Sequence, residues 1–249
     1  MLSKNESKFI QSLQNKKIRH ETQLFTVEGA KSVVELLDSD FKIKELLSTE
    51  VFYKENQSIL EKQSFSIKIV SEADLSRAGT FLTNNAALAV VHCKENTKIE
   101  ATSKELVLVL DDIRDPGNLG TIIRIADWYG ITKLICSENT VEFYNPKVIA
   151  ATMGSFCRVN VYYTNLLSFF EVNSQFSVFG AFLNGNSVHS MVEKQSGYIV
   201  MGNESKGISA DLEKYITHKI TIPAFGKAES LNVGVATAII CDNFKRCSS

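Results

Sequence analysis

Hydrophobic positions in the second half of the chain alternate between short apolar runs and segments with helical spacing. Residues 106–110, Leu-Val-Leu-Val-Leu, form a continuous apolar run, which is typical of a strand buried on both faces of a parallel sheet. The helix predicted over Asn118–Tyr129 keeps its apolar side chains on one face. Further strands are predicted at 133–136, 158–163, 176–181, 198–201 and 219–222, with helices at 146–154 and 231–245. The pattern predicts an α/β domain with a parallel sheet over residues 106–249.

The first half of the chain has a weaker version of the same alternation. A polar arm, predicted to be helical over Ser3–Asn15, precedes a strand at 24–29 and an amphipathic helix over Ala30–Leu37. Strands are also predicted at 43–47, 65–70 and 86–91. We therefore predict a small α/β domain over residues 1–95, followed by a polar linker at 96–105.

The last predicted helix is apolar on nearly every side between Val233 and Cys241. A helix of this kind must be buried on more than one face. Either it inserts into its own domain, or a partner subunit covers its second face.

Composition and charge are those of an ordinary soluble chain and point to no special class of protein. The chain has 249 residues, with 44% hydrophobic and 22% charged, and a net charge of −1. This balance does not by itself indicate nucleic-acid binding, although residues 1–20 carry five Lys or Arg and one acidic residue. Those cations either contact phosphates or belong to a solvated arm. No segment is apolar and long enough for a signal peptide or a membrane span, which predicts a cytoplasmic protein.

The cysteines and histidines indicate neither a disulfide framework nor a metal site. The five cysteines are an odd number with no C-x-x-C pair, and the four histidines are scattered. We predict that the protein uses no metal.

Three loops rich in glycine, asparagine and carboxylates follow predicted strands, at Asp115–Gly120, Gly202–Gly207 and Pro223–Gly234. Ligands of open α/β sheets bind outside the carboxyl ends of the strands, where these loops are expected. None of the loops has the glycine fingerprint of a dinucleotide or nucleoside triphosphate site. The loops therefore predict a shared site for another ligand.

These loops resemble the motifs of a known family. Residues 118–126, Asn-Leu-Gly-Thr-Ile-Ile-Arg-Ile-Ala, resemble the first motif of the SpoU (TrmH-like) RNA ribose methyltransferases, and residues 199–209 and 222–239 resemble the second and third. Met153-Gly154-Ser155 also fits, and the resemblance covers residues 106–246. The first half, with Lys17, Arg19 and residues 25–29, is similar to the small domain before the catalytic domain in many members, which is akin to an RNA-binding ribosomal protein.

The resemblance implies an enzyme that transfers a methyl group from S-adenosylmethionine to a ribose 2′-hydroxyl of RNA. It also implies a deep trefoil knot in the C-terminal domain and a homodimer formed through that domain. Ribosomal RNA is the first expected substrate and transfer RNA the second. The implied catalytic residues are Arg124, Asn118, Glu204, Ser230 and Asn232; the implied donor contacts are Met201, Gly202, Ile222, Leu231 and Asn232; and the implied RNA contacts are Lys17, Arg19 and Arg124.

The roles of these residues follow from the resemblance and from their chemistry. Arg124 is expected to assist activation of the 2′-hydroxyl together with an RNA phosphate, and electrostatic stabilisation is easier for a guanidinium than general-base catalysis. Asn118 either caps its helix or contacts the site, and Glu204 either orients Arg124 or holds its loop. Ser230 and Asn232 can cap the last helix. Many members have glycine where this chain has Ser205, which adopts a positive φ less easily.

Three alternatives remain. The first is an RNA-binding module without catalysis, against which the retained motif residues argue. The second is a base-modifying methyltransferase of the same knotted superfamily, which needs groups that read a base edge. The third is a nicotinamide oxidoreductase, whose glycine fingerprint is absent from this sequence.

Overall fold

The computed structural model describes residues 2–190 and 196–246, and its chain forms two compact units. The first unit contains the residues up to Glu95 together with Tyr144–Cys157. The second contains Asn96–Phe143 and the described residues from Arg158 onward. Within these described ranges, no helix combines the length and the apolar character that a membrane crossing needs.

The first unit contains a four-stranded mixed sheet. Its strands are β1 (Leu24–Glu28), β2 (Ile43–Ser48), β3 (Ser66–Ile69) and β4 (Ala87–His92). The order in the sheet is β1-β4-β2-β3, with β4 antiparallel to both β1 and β2, and β2 parallel to β3. Strand β1 is buried along its whole length, including the polar residues Thr26 and Glu28.

Six short helices of the first unit precede or connect these strands. They are α1 (Lys4–Ser12), α2 (Lys16–Thr22), α3 (Ala30–Leu37), α4 (Glu50–Glu55), α5 (Gln57–Leu60) and α6 (Glu72–Ala78). The arm predicted as one helix to Asn15 ends at Ser12 instead, because the Asn15 side chain accepts a 2.9 Å hydrogen bond from Lys17 N and starts α2. Asparagine is a favourable N-cap, and this cap divides the arm.

The second unit contains a six-stranded, all-parallel sheet. Its strands are β5 (Leu106–Leu110), β6 (Lys133–Ser137), β7 (Asn160–Thr164), β8 (Val178–Ser187), β9 (Gly197–Met201) and β10 (His218–Thr221). Their order is β10-β8-β9-β5-β6-β7. The predicted parallel α/β domain is therefore confirmed, and β5 and β9 lie side by side in its centre, where every residue of β9 is buried.

The described part of the second unit contains the helices α7 (Pro116–Trp128), α9 (Leu166–Val172), α10 (Ala210–Glu213) and α11 (Val233–Arg246). Helix α8 (Pro146–Thr152), which lies between α7 and α9 in sequence, belongs to the first unit. Helices α9 and α10 were not predicted. Strand β8 is longer than predicted, because its register with β10 shifts between Gly180 and Asn186.

Residues 144–157 group with the first unit, although the sequence assigned them to the second domain. The reason is an aromatic cluster: the Phe25 ring lies 4.6 Å from Tyr144 and 6.2 Å from Phe156, centroid to centroid. Gly154, with a φ of +98°, faces Glu35, whose Cγ would lie 2.6 Å from a Cβ at this position. The Met153-Gly154-Ser155 segment is therefore part of the first unit.

The segment predicted as a linker is attached to the second unit. Ala101 is buried, and its N–H donates a 3.0 Å hydrogen bond to the hydroxyl of Tyr198 in β9. Cys136 and Cys241 are buried free thiols, and Cys247 lies outside the described residues. In the described ranges, no cluster of three or more His, Cys, Asp or Glu side chains could hold a metal ion.

Candidate active site

The loop after β5, residues 111–115 (loop A), places Asn118 in the first turn of α7. The Asp115 carboxylate accepts a 2.8 Å hydrogen bond from Asn118 N, and Pro116 occupies the start of the helix. Both features are favourable at a helix N-terminus. The cap of α7 is thus Asp115 rather than Asn118, which leaves the Asn118 side chain for other contacts.

Loop A is joined to the loop after β9, residues 202–209 (loop B). Asp111 N donates to Met201 O at 2.9 Å, and Ser209 N donates to the Asp111 carboxylate at 2.8 Å. The Asn203 side-chain amide donates to Asp112 O at 2.7 Å. Because β5 and β9 are parallel neighbours, these bonds hold both loops at the carboxyl edge of the sheet.

Loop B is a tight turn built around Asn203. Its side-chain oxygen accepts hydrogen bonds from Ser205 N at 2.9 Å and Lys206 N at 3.1 Å, and its backbone pairs with Gly207. A Cβ on Gly202 would overlap the carbonyl carbon of Gly207 and the amide nitrogen of Ile208, so only glycine fits this approach. Ser205 is not among the described residues with a positive φ, so the serine introduces no backbone strain here.

A chain of side-chain hydrogen bonds connects loop B to the loop before α11, residues 222–232 (loop C). The Asn118 amide nitrogen donates to a Glu204 carboxylate oxygen at 2.8 Å, and the Asn232 amide nitrogen donates to the Asn118 oxygen at 2.9 Å. The Asn232 oxygen then accepts from Gly234 N at 2.9 Å and Val235 N at 3.3 Å. We call Glu204, Asn118 and Asn232 the amide relay.

The groups at the two ends of the amide relay determine which amide atoms of Asn118 and Asn232 donate hydrogen bonds and which accept them. An ionised Glu204 can only accept, so Asn118 must turn its NH₂ towards it. The free N–H groups at the start of α11 can only donate, so Asn232 must turn its oxygen towards them. Asn232 therefore caps α11, as predicted for it, whereas Ser230 makes no hydrogen bond in the described part of the chain.

Arg124 lies about 9 Å further along the axis of α7 than Asn118, given six residues at 1.5 Å each. It is exposed, on the side of α7 opposite the buried Ile122, Ile123 and Ala126. Across residues 2–190 and 196–246 it has no hydrogen bond or ion pair. Glu204 contacts Asn118 instead of Arg124, so its carboxylate orients the relay amide and holds loop B.

The residues predicted as donor contacts lie at the carboxyl edge of the sheet. Met201 ends β9 and is buried, Gly202 begins loop B, and Ile222 follows β10, which is separated from β9 by β8. Leu231 is 50% exposed beside the cap residue Asn232. The three glycine-bearing loops thus reach one edge, as the sequence predicts.

The two residues predicted to contact RNA in the first unit differ in accessibility. Lys17 is exposed and lies 3.8 Å from Glu21. Arg19 is only 2% exposed, and its guanidinium donates 2.8 Å hydrogen bonds to Leu13 O and Gln14 O. The predicted phosphate contact of Arg19 is therefore corrected: its guanidinium is occupied by two backbone carbonyls that directly follow α1.

One cation at the site edge was not predicted from the sequence. The Arg114 Nε donates a 2.8 Å hydrogen bond to the Asp112 carboxylate, and its side chain is 66% exposed. This hydrogen bond, with the charges of Asp112 and Glu204, raises the pKa of Arg114 above its usual value. The only sequence signal was its place directly before Asp115 in loop A.

A parallel α/β sheet whose carboxyl edge carries three interlocked glycine and asparagine loops defines a class of ligand-binding α/β enzymes. Residues 105–242 match the SpoU rRNA Methylase family, and residues 4–89 match the MRM3-like substrate binding domain. The chain belongs to the SpoU rRNA methylase family, as its motifs predict. It is an RNA methyltransferase that depends on S-adenosylmethionine.

Similar proteins cover nearly the whole chain. The chain is 33% identical over 233 residues to the 23S rRNA (guanosine(2553)-2′-O)-methyltransferase RlmP of Bacillus subtilis strain 168, with 92% of this chain and 91% of that protein covered. It is 26% identical to the 23S rRNA (guanosine-2′-O-)-methyltransferase RlmB of Neisseria meningitidis serogroup B, covering 88% and 89%. The crystal structure of an AdoMet-bound rRNA methyltransferase from Sinorhizobium meliloti matches with a TM-score of 0.88 and 28% identity, covering 99% and 96%.

Proposed function

We propose that this protein transfers a methyl group from S-adenosylmethionine to a ribose 2′-hydroxyl of ribosomal RNA. The amide relay supports this proposal most directly, because it joins the motif loops B and C to α7 at one edge of the sheet. Both relatives named above are, by name, guanosine 2′-O-methyltransferases of 23S rRNA. A guanosine ribose of large-subunit RNA is therefore the first target to test, and we place the protein in the cytoplasm as part of this proposal.

The residues at the sheet edge fit an S-adenosylmethionine ligand. Residues 223–231 of loop C make no hydrogen bond in the described part of the chain, so their backbone N–H and C=O groups are available. Gly202 lets loop B fold closely against Gly207 and Ile208, which a side chain would prevent. We assign donor binding to Met201 and Gly202 together with Ile222, Leu231 and Asn232. When bound, the donor supplies a methyl group on a sulfonium.

Arg124 is the residue to which we assign activation of the ribose. Its guanidinium is exposed and has no partner in the described ranges, so it is available to an anionic substrate. A guanidinium stays protonated near neutral pH, so Arg124 stabilises the developing alkoxide, alone or through an RNA phosphate. Asn118 and Glu204 position loop B, and Ser230, which has an unpaired hydroxyl, is assigned to contact the substrate.

The first unit is assigned to RNA binding. It matches a substrate binding domain over residues 4–89. Lys17 is exposed and its nearest partner, Glu21, is held only at 3.8 Å, so Lys17 remains available to a phosphate. Arg19 has no part in this assignment.

We also propose a deep trefoil knot and a homodimer. The path of loop C supports the knot: it leaves β10 at one edge of the sheet and brings α11 into contact with α7, which follows the central strand β5. Exposed apolar side chains support the dimer, since Trp128 on α7 is 84% exposed and Val235 on α11 is 49% exposed. Sedimentation of the protein as a monomer at micromolar concentration would contradict the homodimer.

The test of the proposed substrate uses two RNAs made by transcription and therefore free of modification. Large-subunit ribosomal RNA and a set of transfer RNA transcripts are incubated separately with the protein and methyl-labelled donor. We expect label in the ribosomal RNA. Label in transfer RNA alone would replace the substrate, and no label in either, with no heat of donor binding in calorimetry, would indicate an RNA-binding module without catalysis.

A further inference from the structure

Phe225 in loop C is the most exposed aromatic side chain in the described part of the chain, at 95%. Of the fifteen phenylalanines, only Phe9 is also exposed, at 37%, and Lys44 lies 5.3 Å from its ring centroid. A phenylalanine normally contributes a large apolar area to a core. Phe225 contributes no such area to a core, although hydrogen bonds hold the chain in place on both sides of it.

The anchors place Phe225 at the site edge. On one side, Thr221 ends β10 and its hydroxyl donates to Leu183 O at 3.1 Å. On the other, Asn232 belongs to the amide relay and caps α11. Residues 223–231 between them have no hydrogen bond in the described ranges, so loop C presents the Phe225 ring to solvent beside the assigned donor contacts.

The other strongly exposed apolar side chains described in the second unit are either aliphatic or lie outside the motif loops. Trp128 and Val235 lie on α7 and α11, whose faces are assigned to a second copy of the chain. Val172 ends α9, which follows β7 at the opposite edge of the sheet. Among the residues that the structure describes, only Phe225 combines a free aromatic face with a position in a motif loop, and exposed Lys227 supplies a cation two residues later.

We propose that Phe225 is a stacking platform for an unpaired base of the substrate RNA, next to the ribose that is methylated. This inference rests on the proposed function. RNA bases that are splayed out of a helix are held by stacking on aromatic side chains, and neighbouring cations contact the backbone phosphates. Stacking fixes the nucleotide, so that its 2′-hydroxyl stays near Arg124 and the donor, and it tolerates any base.

The test compares Phe225→Ala, Phe225→Leu and Phe225→Trp with the wild-type protein on unmodified large-subunit ribosomal RNA. Loss of one base stack raises the dissociation constant for RNA about 5- to 150-fold, so we expect this increase, and a similar one in KM for RNA, for the alanine and leucine variants. The tryptophan variant should stay within about threefold of wild type, because its indole stacks at least as well. Its added fluorescence should be quenched by RNA and not by donor alone.

Controls separate stacking from other roles. Val172→Ala removes an exposed apolar side chain of the same unit and should change neither RNA binding nor turnover. Unchanged RNA binding by Phe225→Ala, or full activity of Phe225→Leu, would overturn the inference. So would weaker donor binding or a changed oligomeric state as the main effect of Phe225→Ala. Failure of the wild-type protein to bind or methylate RNA would instead overturn the proposed function, and the stacking role with it.

Discussion

Replacing Asn118 by aspartate should break the amide relay at one link while keeping the size of the side chain. In the structure the Asn118 nitrogen lies 2.8 Å from a Glu204 oxygen and donates to it. Asn118→Asp puts a second carboxylate oxygen in the place of this donor. The other link survives, because the introduced carboxylate still offers an oxygen to the Asn232 amide.

The destabilisation that Asn118→Asp should cause follows from the distance between the Asn118 nitrogen and the Glu204 oxygen. Glu204 is exposed and Asn118 is half-buried, so the dielectric constant of water sets the lower bound, at which two unit charges 2.8 Å apart repel by about 1.5 kcal/mol. The lost hydrogen bond adds about 1 kcal/mol. We therefore expect Asn118→Asp to lower the free energy of unfolding by about 2 kcal/mol and to weaken donor binding, because loop B loses an anchor.

A double variant provides the decisive control. Glu204→Gln alone should cost less than 1 kcal/mol, because an amide oxygen still accepts from Asn118. Combined with Asn118→Asp, it restores one carboxylate and one hydrogen bond, with donor and acceptor exchanged. Urea unfolding and calorimetry of donor binding should show the double variant to be close to wild type, a coupling of about 2 kcal/mol. Additivity of the two single changes to within about 0.5 kcal/mol would refute the relay.

Three further predictions concern the donor loop, the catalytic arginine and the buried thiols. Gly202→Ala should abolish donor binding in calorimetry without unfolding the sheet, because its Cβ overlaps the backbone of Gly207; binding at wild-type affinity would contradict the close approach. Arg124→Ala should lower turnover by about 100-fold or more with unchanged donor affinity and melting temperature, and normal turnover would remove Arg124 from the mechanism. Burial raises the pKa of Cys136 and raises that of Cys241 to about 12, so neither should react with a thiol reagent in the folded protein at pH 8, as peptide mapping can check. Because the folded state holds these protons more tightly than the unfolded chain, stability should fall as the pH rises above about 9, and urea midpoints that do not fall would contradict the shift.

The sequence predicts the second unit well where the burial pattern is simple. The apolar run of β5 indicates a strand buried on both faces, and the three motif loops follow strands that prove to be parallel. The strand order could not be predicted, because the hydrophobic pattern of a parallel strand does not depend on which strand lies beside it. Helix α9 was missed because its seven residues provide fewer than two turns of helical periodicity.

The placement or role of several residues could not be predicted, because their contacts are made to residues distant in sequence or to backbone atoms. Tyr144 and Phe156 join the first unit through the ring of Phe25, more than a hundred residues earlier. Arg19 stands in a run of charged residues that is typical of a solvated surface, yet its partners are backbone carbonyls. The donor and acceptor atoms of the amide relay also depend on hydrogen bonds between loop B, α7 and loop C, which sequence spacing does not encode.

The position of the transferred methyl group tests the central claim most directly. Unmodified large-subunit ribosomal RNA is incubated with the protein and S-adenosylmethionine carrying a deuterated methyl group, digested to nucleosides, and analysed by mass spectrometry. We predict a labelled nucleoside whose fragmentation leaves the added mass on the ribose and the base unchanged. A label retained on the free base would contradict ribose methylation and show a base-modifying enzyme instead.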